Sequence, residues 1–292
     1  MLIKSNESTT LFQFYMSYND ASYLLLGSPV EQSLSPLIHN TAFRCLGLPS
    51  RYAAQEIAKS QVATSIKHID GEHIFGANVT IPYKQAVLPY LDGISPVAKR
   101  VGAVNTIYFA NGRKMGHNTD VEGFLKPLSA LGLQPKHVVI LGSGGAARAV
   151  MVAAEEGLKA SRISVVSRNL LSARAACHDL QIGEAWDFSS LDQLIPDASL
   201  IVNATPVGMW PKIDTSPIPD SITFLPSQTI YDLVYNPEET RLLQAARVQG
   251  ARTLGGLSML IAQAAASFKI WTGLEMPVDA VEMALKTHLD LT

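Results

Sequence analysis

Short apolar runs alternate along this chain with segments whose apolar residues recur at three- and four-residue spacing, and the alternation occurs in two successive blocks. The run YLLLGSP reads as a buried strand. SPLIHNTAFRCLG follows as a helix with Ser35 at the N-cap, Pro36 at the first helical position and Gly47 at the stop. Further strands are expected at about residues 52–57, 74–79 and 104–109, separated by helical patterns, as in an open, mostly parallel α/β sheet. GANVTIPYKQAVLPYL is expected to leave its strand at Pro82 and to place Lys84 in the first turn of a helix. A cation is disfavoured there by the helix dipole.

The second block begins at HVVILG and continues through RISVVSR, LIVNATP and TIYDLVYNP with helices between, a doubly wound pattern. After ARTLGGLS the pattern turns purely helical, ending in a helix near residues 278–289. These observations predict an extension over residues 1–20, a substrate domain over 21–123 and a Rossmann-type dinucleotide domain over 124–256. Residues 257–292 are read as helices returning to the first domain. The active site is expected in the cleft between the domains.

A length of 292 residues suits two domains, each with its own core. A net charge of -2 with no basic run argues against nucleic acid and anionic membranes and for a small-molecule partner. Cys45 and Cys177 form no paired motif, which points to a reducing, cytoplasmic setting. No apolar run approaches the ~20 residues of a membrane span, and the first twenty residues, with Lys4, Glu7 and Asp20, lack a signal-peptide core. The seven histidines include no H-x-x-x-H or H-E-x-x-H, so no metal is expected.

Candidate chemistry enters with VVILGSGGAARAV, where Gly142, Gly144 and Ala147 match G-x-G-x-x-A between a strand and a helix. The turn Gly142, Ser143, Gly144, Gly145, Ala146 and Ala147 can bring backbone N–H groups to a pyrophosphate at a helix N-terminus. An NAD-preferring fold places Asp or Glu at the end of its second strand. Here Ser167, Arg168 and Asn169 offer donors and no carboxylate, which favours the 2′-phosphate of NADP.

Ser33, Ser35, Asn78, Thr80, Lys84, Asn105 and Asp120 lie at or just past predicted carboxyl ends of strands, where open α/β sheets bind ligands. Each also has an ordinary role as a turn or cap residue; their common address favours the functional reading. Lys84 and Asp120 would form a cation–carboxylate pair suited to general acid–base catalysis.

The blocks GSPVEQSLSPLIHN, GANVTIPYK, GAVNT, GHNTD, GSGGAAR, NATPVGM, YDLVYNP and GLSMLIAQAA, in this order, resemble the shikimate/quinate dehydrogenase family over residues 24–289. The resemblance implies NADP-dependent interconversion of 3-dehydroshikimate and shikimate in chorismate and aromatic amino-acid biosynthesis, by a monomer or homodimer. It implies Lys84 and Asp120 as the catalytic pair, Ser33 and Ser35 on the substrate carboxylate with Tyr235 near it, and Thr80, Asn105 and Gln263 on the ring hydroxyls. Leu233 and Gly256 match positions lining the nicotinamide pocket, and Asn203 and Thr205 belong to the cofactor loop NATP. The chain has Gln32 where the family commonly has His, and Ser167-Arg168-Asn169 where it commonly has Asn-Arg-Thr. A quinate or aminoshikimate paralogue and an NADP-binding regulatory module are the alternatives at this point.

Overall fold

The computed structural model describes residues 22–290; the expected extension over residues 1–20 lies outside the described residues. In chain order the elements are β1 (Tyr23–Gly27), α1 (Ser35–Cys45), β2 (Tyr52–Glu56), α2 (Val62–His68), β3 (Gly76–Val79), β4 (Gly93–Ile94), α3 (Pro96–Val101), β5 (Thr106–Ala110), β6 (Arg113–His117) and α4 (Asp120–Ala130). They continue with β7 (His137–Leu141), α5 (Gly145–Val152, extended by a π turn over Ala153–Gly157), β8 (Arg162–Val166), α6 (Leu170–Leu180), β9 (Glu184–Trp186), α7 (Leu191–Leu194), β10 (Leu200–Asn203), β11 (Thr229–Asp232), α8 (Arg241–Val248), β12 (Arg252–Leu254), α9 (Leu257–Thr272) and α10 (Val278–Asp290). The chain divides into two compact units. One takes the chain up to Gly93, Thr106–Gly116 and everything from Ser267; the other takes Ile94–Asn105 and His117–Ala266. The last change of unit falls inside α9.

The first unit is built on a sheet of order β2-β1-β3-β5-β6-β4. β1 runs parallel to both β2 and β3, and β5 runs antiparallel to β3. All five residues of β1 and all four of β3 are buried, as expected of strands covered on both faces. α10 packs against α1, while the end of α9 lies against the first strands, where Trp271 stacks on Tyr23 at 4.7 Å and Ser267 accepts from Asn78. An aromatic cluster of Tyr23, Phe43, Tyr52, Phe268 and Trp271 surrounds the His39 ring, which stacks on Tyr52 at 4.4 Å.

The second unit is a fully parallel sheet of order β12-β11-β10-β7-β8-β9. Read from the other edge this is the 3-2-1-4-5-6 order of a dinucleotide-binding fold, with the order reversing between β7 and β10. Successive residues of β7 enter opposite layers. Val138 and Ile140 join a core with α4, α5 and α6, while Val139 and Leu141 join one with α7 and α8. The two-residue alternation of a pleated strand therefore feeds two cores at once.

Two local expectations are corrected. Lys84 lies in a run of turns followed by a 3-10 turn at Leu88–Tyr90, not in the first turn of an α-helix. Val87 N–H reaches Tyr83 O at 3.2 Å, closing one helical turn, but Pro89 lacks the N–H needed to continue toward Gln85. No α-helix dipole acts on Lys84 there. Ser35 is the first residue of α1 rather than its cap, and Leu34 occupies the N-cap.

Candidate functional site

In the first unit the candidate residues sit on the loops that leave β1 and β3. The loops run side by side: Thr80 N–H donates to Leu26 O at 2.9 Å and Ser28 N–H to Ile81 O at 3.0 Å. A side chain at Gly27 would meet Thr80 Cγ2 at 2.3 Å, so glycine is required for this approach. Ser33 Oγ accepts the Ser35 N–H at 3.2 Å, which fixes the loop entering α1. Ser35 is buried, whereas Ser33, Thr80 and Lys84 are half-buried. The turn carrying Lys84 is pegged by Tyr83, whose buried hydroxyl donates to Ile57 O at 2.7 Å.

Asn78 leaves the group of candidate binding residues. Its Oδ1 accepts from Tyr52 Oη at 2.8 Å, and its Nδ2 donates to Thr106 Oγ1 and Ser267 Oγ at 3.2 and 3.1 Å. Both ends of the amide are thus engaged inside the unit, and the apolar surroundings explain why they must be.

In the second unit Asn105, Asp120 and Gln263 come together. Asp120 opens α4, where the helix dipole favours its charge, and is buried at 3% exposure. Asn105 Nδ2 donates to Asp120 Oδ1 at 2.9 Å and to Thr119 Oγ1 at 2.9 Å, while Asn105 Oδ1 accepts the Thr119 N–H at 2.8 Å. Asn118 Oδ1 accepts the Asp120 N–H at 3.0 Å. Asn105 Nδ2 also faces Gln263 Oε1 at 3.4 Å. Gly123 makes this meeting possible, because a Cβ there would lie 2.7 Å from Gln263 Cβ. The result is a buried carboxylate that accepts from the neutral amide of Asn105, itself held by Thr119. Tyr235 lies in the loop after β11 and is half-buried.

The glycine turn stands at the carboxyl end of β7. Gly142 has φ +112°, a conformation suited to glycine, and a Cβ there would lie 3.0 Å from Ala204 O. Gly144 differs: its backbone is extended, and a Cβ would meet nothing within 4 Å. No neighbour among the described residues demands a glycine at that position. Space kept clear at the start of α5, beside Ser143, Gly145 and Ala146, fits a pyrophosphate approaching the backbone. Ala147 is fully buried against the sheet.

At the end of β8, Ser167 Oγ lies 3.3 Å from Ser143 Oγ and accepts the Asn169 N–H at 3.3 Å. Arg168 and Asn169 are exposed. Asn169 caps α6, its Oδ1 accepting the Ser172 N–H at 3.2 Å, so only its amide N–H groups remain as donors. The carboxylate of Asp187, just past the neighbouring β9, is held by Ser189 at 2.9 Å (N–H) and 2.5 Å (Oγ). The donor set at this turn fits a phosphorylated ribose.

The remaining cofactor candidates follow β10, β11 and β12. Asn203 Oδ1 accepts from Thr205 N and Oγ1 at 3.0 and 2.6 Å, and Gly256 N–H donates to Val234 O at 3.1 Å. A Cβ on Gly256 would lie 2.2 Å from Leu233 O, so the loop tolerates no side chain there. One residue absent from the sequence-based set stands behind them. Asp232 is fully buried and accepts from Asn203 Nδ2 at 2.8 Å, Val234 N at 3.0 Å and Thr240 Oγ1 at 2.7 Å. Burial pushes its carboxyl up to about 6, against the downward pull of these three bonds. The available signal was an acid closing a parallel strand, TIYD, right after the apolar pair Ile230 and Tyr231.

Comparison with known proteins decides the family. The family model for the shikimate dehydrogenase substrate binding domain matches residues 25–107, and that for the shikimate 5′-dehydrogenase C-terminal domain matches residues 256–286. A shikimate dehydrogenase (NADP(+)) of Chlorobium phaeovibrioides is 45% identical over 282 residues, covering 91% of this chain and 96% of the relative. The chain belongs to the shikimate dehydrogenase family. A second family member, the shikimate dehydrogenase (NADP(+)) of Moorella thermoacetica, is 42% identical over 274 residues, covering 90% of this chain and 91% of its own. Among solved structures of the family, the Thermus thermophilus shikimate 5-dehydrogenase in complex with NADP(H) and shikimate superimposes with a TM-score of 0.81 at 36% identity. That match covers 91% of this chain and 99% of the other.

Proposed function

We propose that this chain is an NADP-dependent shikimate dehydrogenase that interconverts 3-dehydroshikimate and shikimate in the biosynthesis of chorismate and the aromatic amino acids. The observation that carries the reading is the buried Asp120 carboxylate, oriented by Asn105 at 2.9 Å, in a chain 42–45% identical over nine-tenths of its length to enzymes of that name. Bound NADPH supplies a hydride to the ring carbonyl carbon. Lys84, as the ammonium, donates a proton to the oxygen as it gains charge, so the carbonyl takes up one hydride and one proton and becomes the alcohol. Asp120 accepts a hydrogen bond from the reacting hydroxyl or from Lys84 and keeps the proton donor aligned. In oxidation Lys84 takes the same proton back.

Ser33 and Ser35 donate to the substrate carboxylate with Tyr235 beside it, and Thr80, Asn105 and Gln263 bind ring hydroxyls. The turn from Gly142 to Ala147 holds the pyrophosphate. Ser167, Arg168 and Asn169 hold the 2′-phosphate, while Asn203, Thr205, Leu233 and Gly256 frame the nicotinamide end. Gly144, whose missing side chain no neighbour among the described residues explains, supports the pyrophosphate assignment. The test follows absorbance at the reduced-nicotinamide band with NADP plus shikimate, plus quinate, and without either. Rapid reduction with shikimate is expected; activity confined to quinate, or none with either acid, would overturn the reading.

A further inference from the structure

Asp232 gathers three neutral donors, one from the end of β10 and two from the single loop that joins β11 to α8. Its Oδ1 takes Asn203 Nδ2 from the end of β10 and the N–H of Val234 from the loop after β11, and its Oδ2 takes the hydroxyl of Thr240, the N-cap of α8. A buried carboxylate with no cationic partner among the described residues is costly, yet an amide is a poorer acceptor: it keeps one accepting oxygen, and its N–H groups would force the Thr240 hydroxyl to turn round and accept. The consequences spread outward from these bonds. Asn203 Oδ1 holds Thr205, and the Ala204–Thr205 segment lies against Gly142. Leu233 N–H donates to Asn203 O at 3.0 Å, and Val234 O receives the N–H of Gly256.

We propose that Asp232 is a positioning residue for the dinucleotide, setting the loops that carry Asn203, Thr205, Leu233 and Gly256 without touching the ligand itself. The inference rests on the cofactor reading given above and deepens it: four residues assigned to one ligand are joined through one buried acceptor. A carboxylate that served only to hold the fold together would leave cofactor affinity unchanged in whatever fraction of the chain still folded.

Asp232→Asn in the full chain tests this. NADPH affinity is read by fluorescence titration, the KM for shikimate at saturating NADP, and folding by urea midpoint. The dissociation constant for NADPH should rise by about ten- to a hundredfold, as expected for unmet buried donors, while the shikimate KM stays within about twofold. Unchanged NADPH affinity, or a fall only in the active fraction, would overturn the proposal. If Asp232→Asn does not fold, Thr240→Val removes one donor and Thr240→Ser restores it. Weakened NADPH binding in the first, rescued in the second, supports the proposal, and equal affinity in both refutes it. Wild-type protein that binds NADPH without oxidising shikimate would refute the substrate reading alone, whereas wild-type protein that does not bind NADPH would refute both.

Discussion

Replacing His39 by Phe removes a titratable ring from an aromatic core. His39 is fully buried on α1, stacked on Tyr52 with Trp271 at 5.2 Å and Phe268 at 6.4 Å. Burial pushes its pKa down to about 3; Asn78 lies near enough to favour the charged form in part, but neither ring nitrogen makes a hydrogen bond of acceptable geometry. In the unfolded chain the ring takes a proton near pH 6.5, so below that pH the unfolded state binds more protons than the native one. Stability is therefore lost as pH falls from about 6.5 toward 3 and levels off below. Between pH 6.5 and 5 the native ring stays neutral, and the loss is about 1.5 pH units at ~1.4 kcal/mol each, or roughly 2 kcal/mol. Urea unfolding of wild type and His39→Phe at pH 7.5, 6 and 5 isolates it, because every other titrating group is common to both. The difference in unfolding free energy should shift by about 2 kcal/mol in favour of the variant on going to pH 5. Any fixed packing change moves all three points together. A difference that does not vary with pH would show that the native ring can take up a proton, and would refute the reasoning.

Lys84→Ala should lower kcat by about 10²–10⁴ with a small change in substrate KM; Asp120→Asn should do likewise, and the double variant should lose less than the product of the two. Near-wild-type kcat in either single variant, in steady-state assays, counts against the pair. Ser33→Ala and Ser35→Ala should raise the KM for shikimate while leaving kcat comparatively intact, because a carboxylate contact is much the same in ground and transition states; an unchanged KM in both returns the serines to shaping the turn. Arg168→Ala should raise the KM for NADP far more than that for NAD, and Ser167→Asp should reverse the preference by repelling the 2′-phosphate. Equal effects on both cofactors, from initial rates at low ionic strength, would show that this turn does not read the phosphate.

The parallel sheet of the second unit was readable because VVIL and LIV, within HVVIL and LIVN, are unbroken apolar runs followed at once by turn residues. The glycine turn was readable because its requirement is local, a strand, a tight bend and a helix within a dozen residues. Lys84 was misplaced for a related reason. Tyr83 and Val87 are buried four residues apart, as in a helix, and only Pro89 betrays that the turn goes no further. β4, β9 and β12 span two or three residues each, too few to display a period. Asn78 was visible as a polar residue in an apolar strand, but its partner Ser267 lies 189 positions away. Asp232 is a similar case: Asn203, 29 positions away, and the two ends of the loop after β11 make its environment, and neither announces the other.

Because Trp271 stacks on Tyr23 and Ser267 bonds Asn78, part of the cover for β1 and β3 is encoded after the whole of the second unit. Everything of the second unit, from Ile94 to Ala266, leaves the ribosome before Ser267 does. Synthesis therefore inverts the usual order in which amino-terminal domains mature first. β1 and β3, buried along their whole length in the folded unit, must wait without this cover while a whole dinucleotide-type sheet is made after them. Nascent chains halted before Ser267 should expose that face to chaperones, whereas chains halted on an added linker that brings residues 267–290 clear of the ribosome should close it.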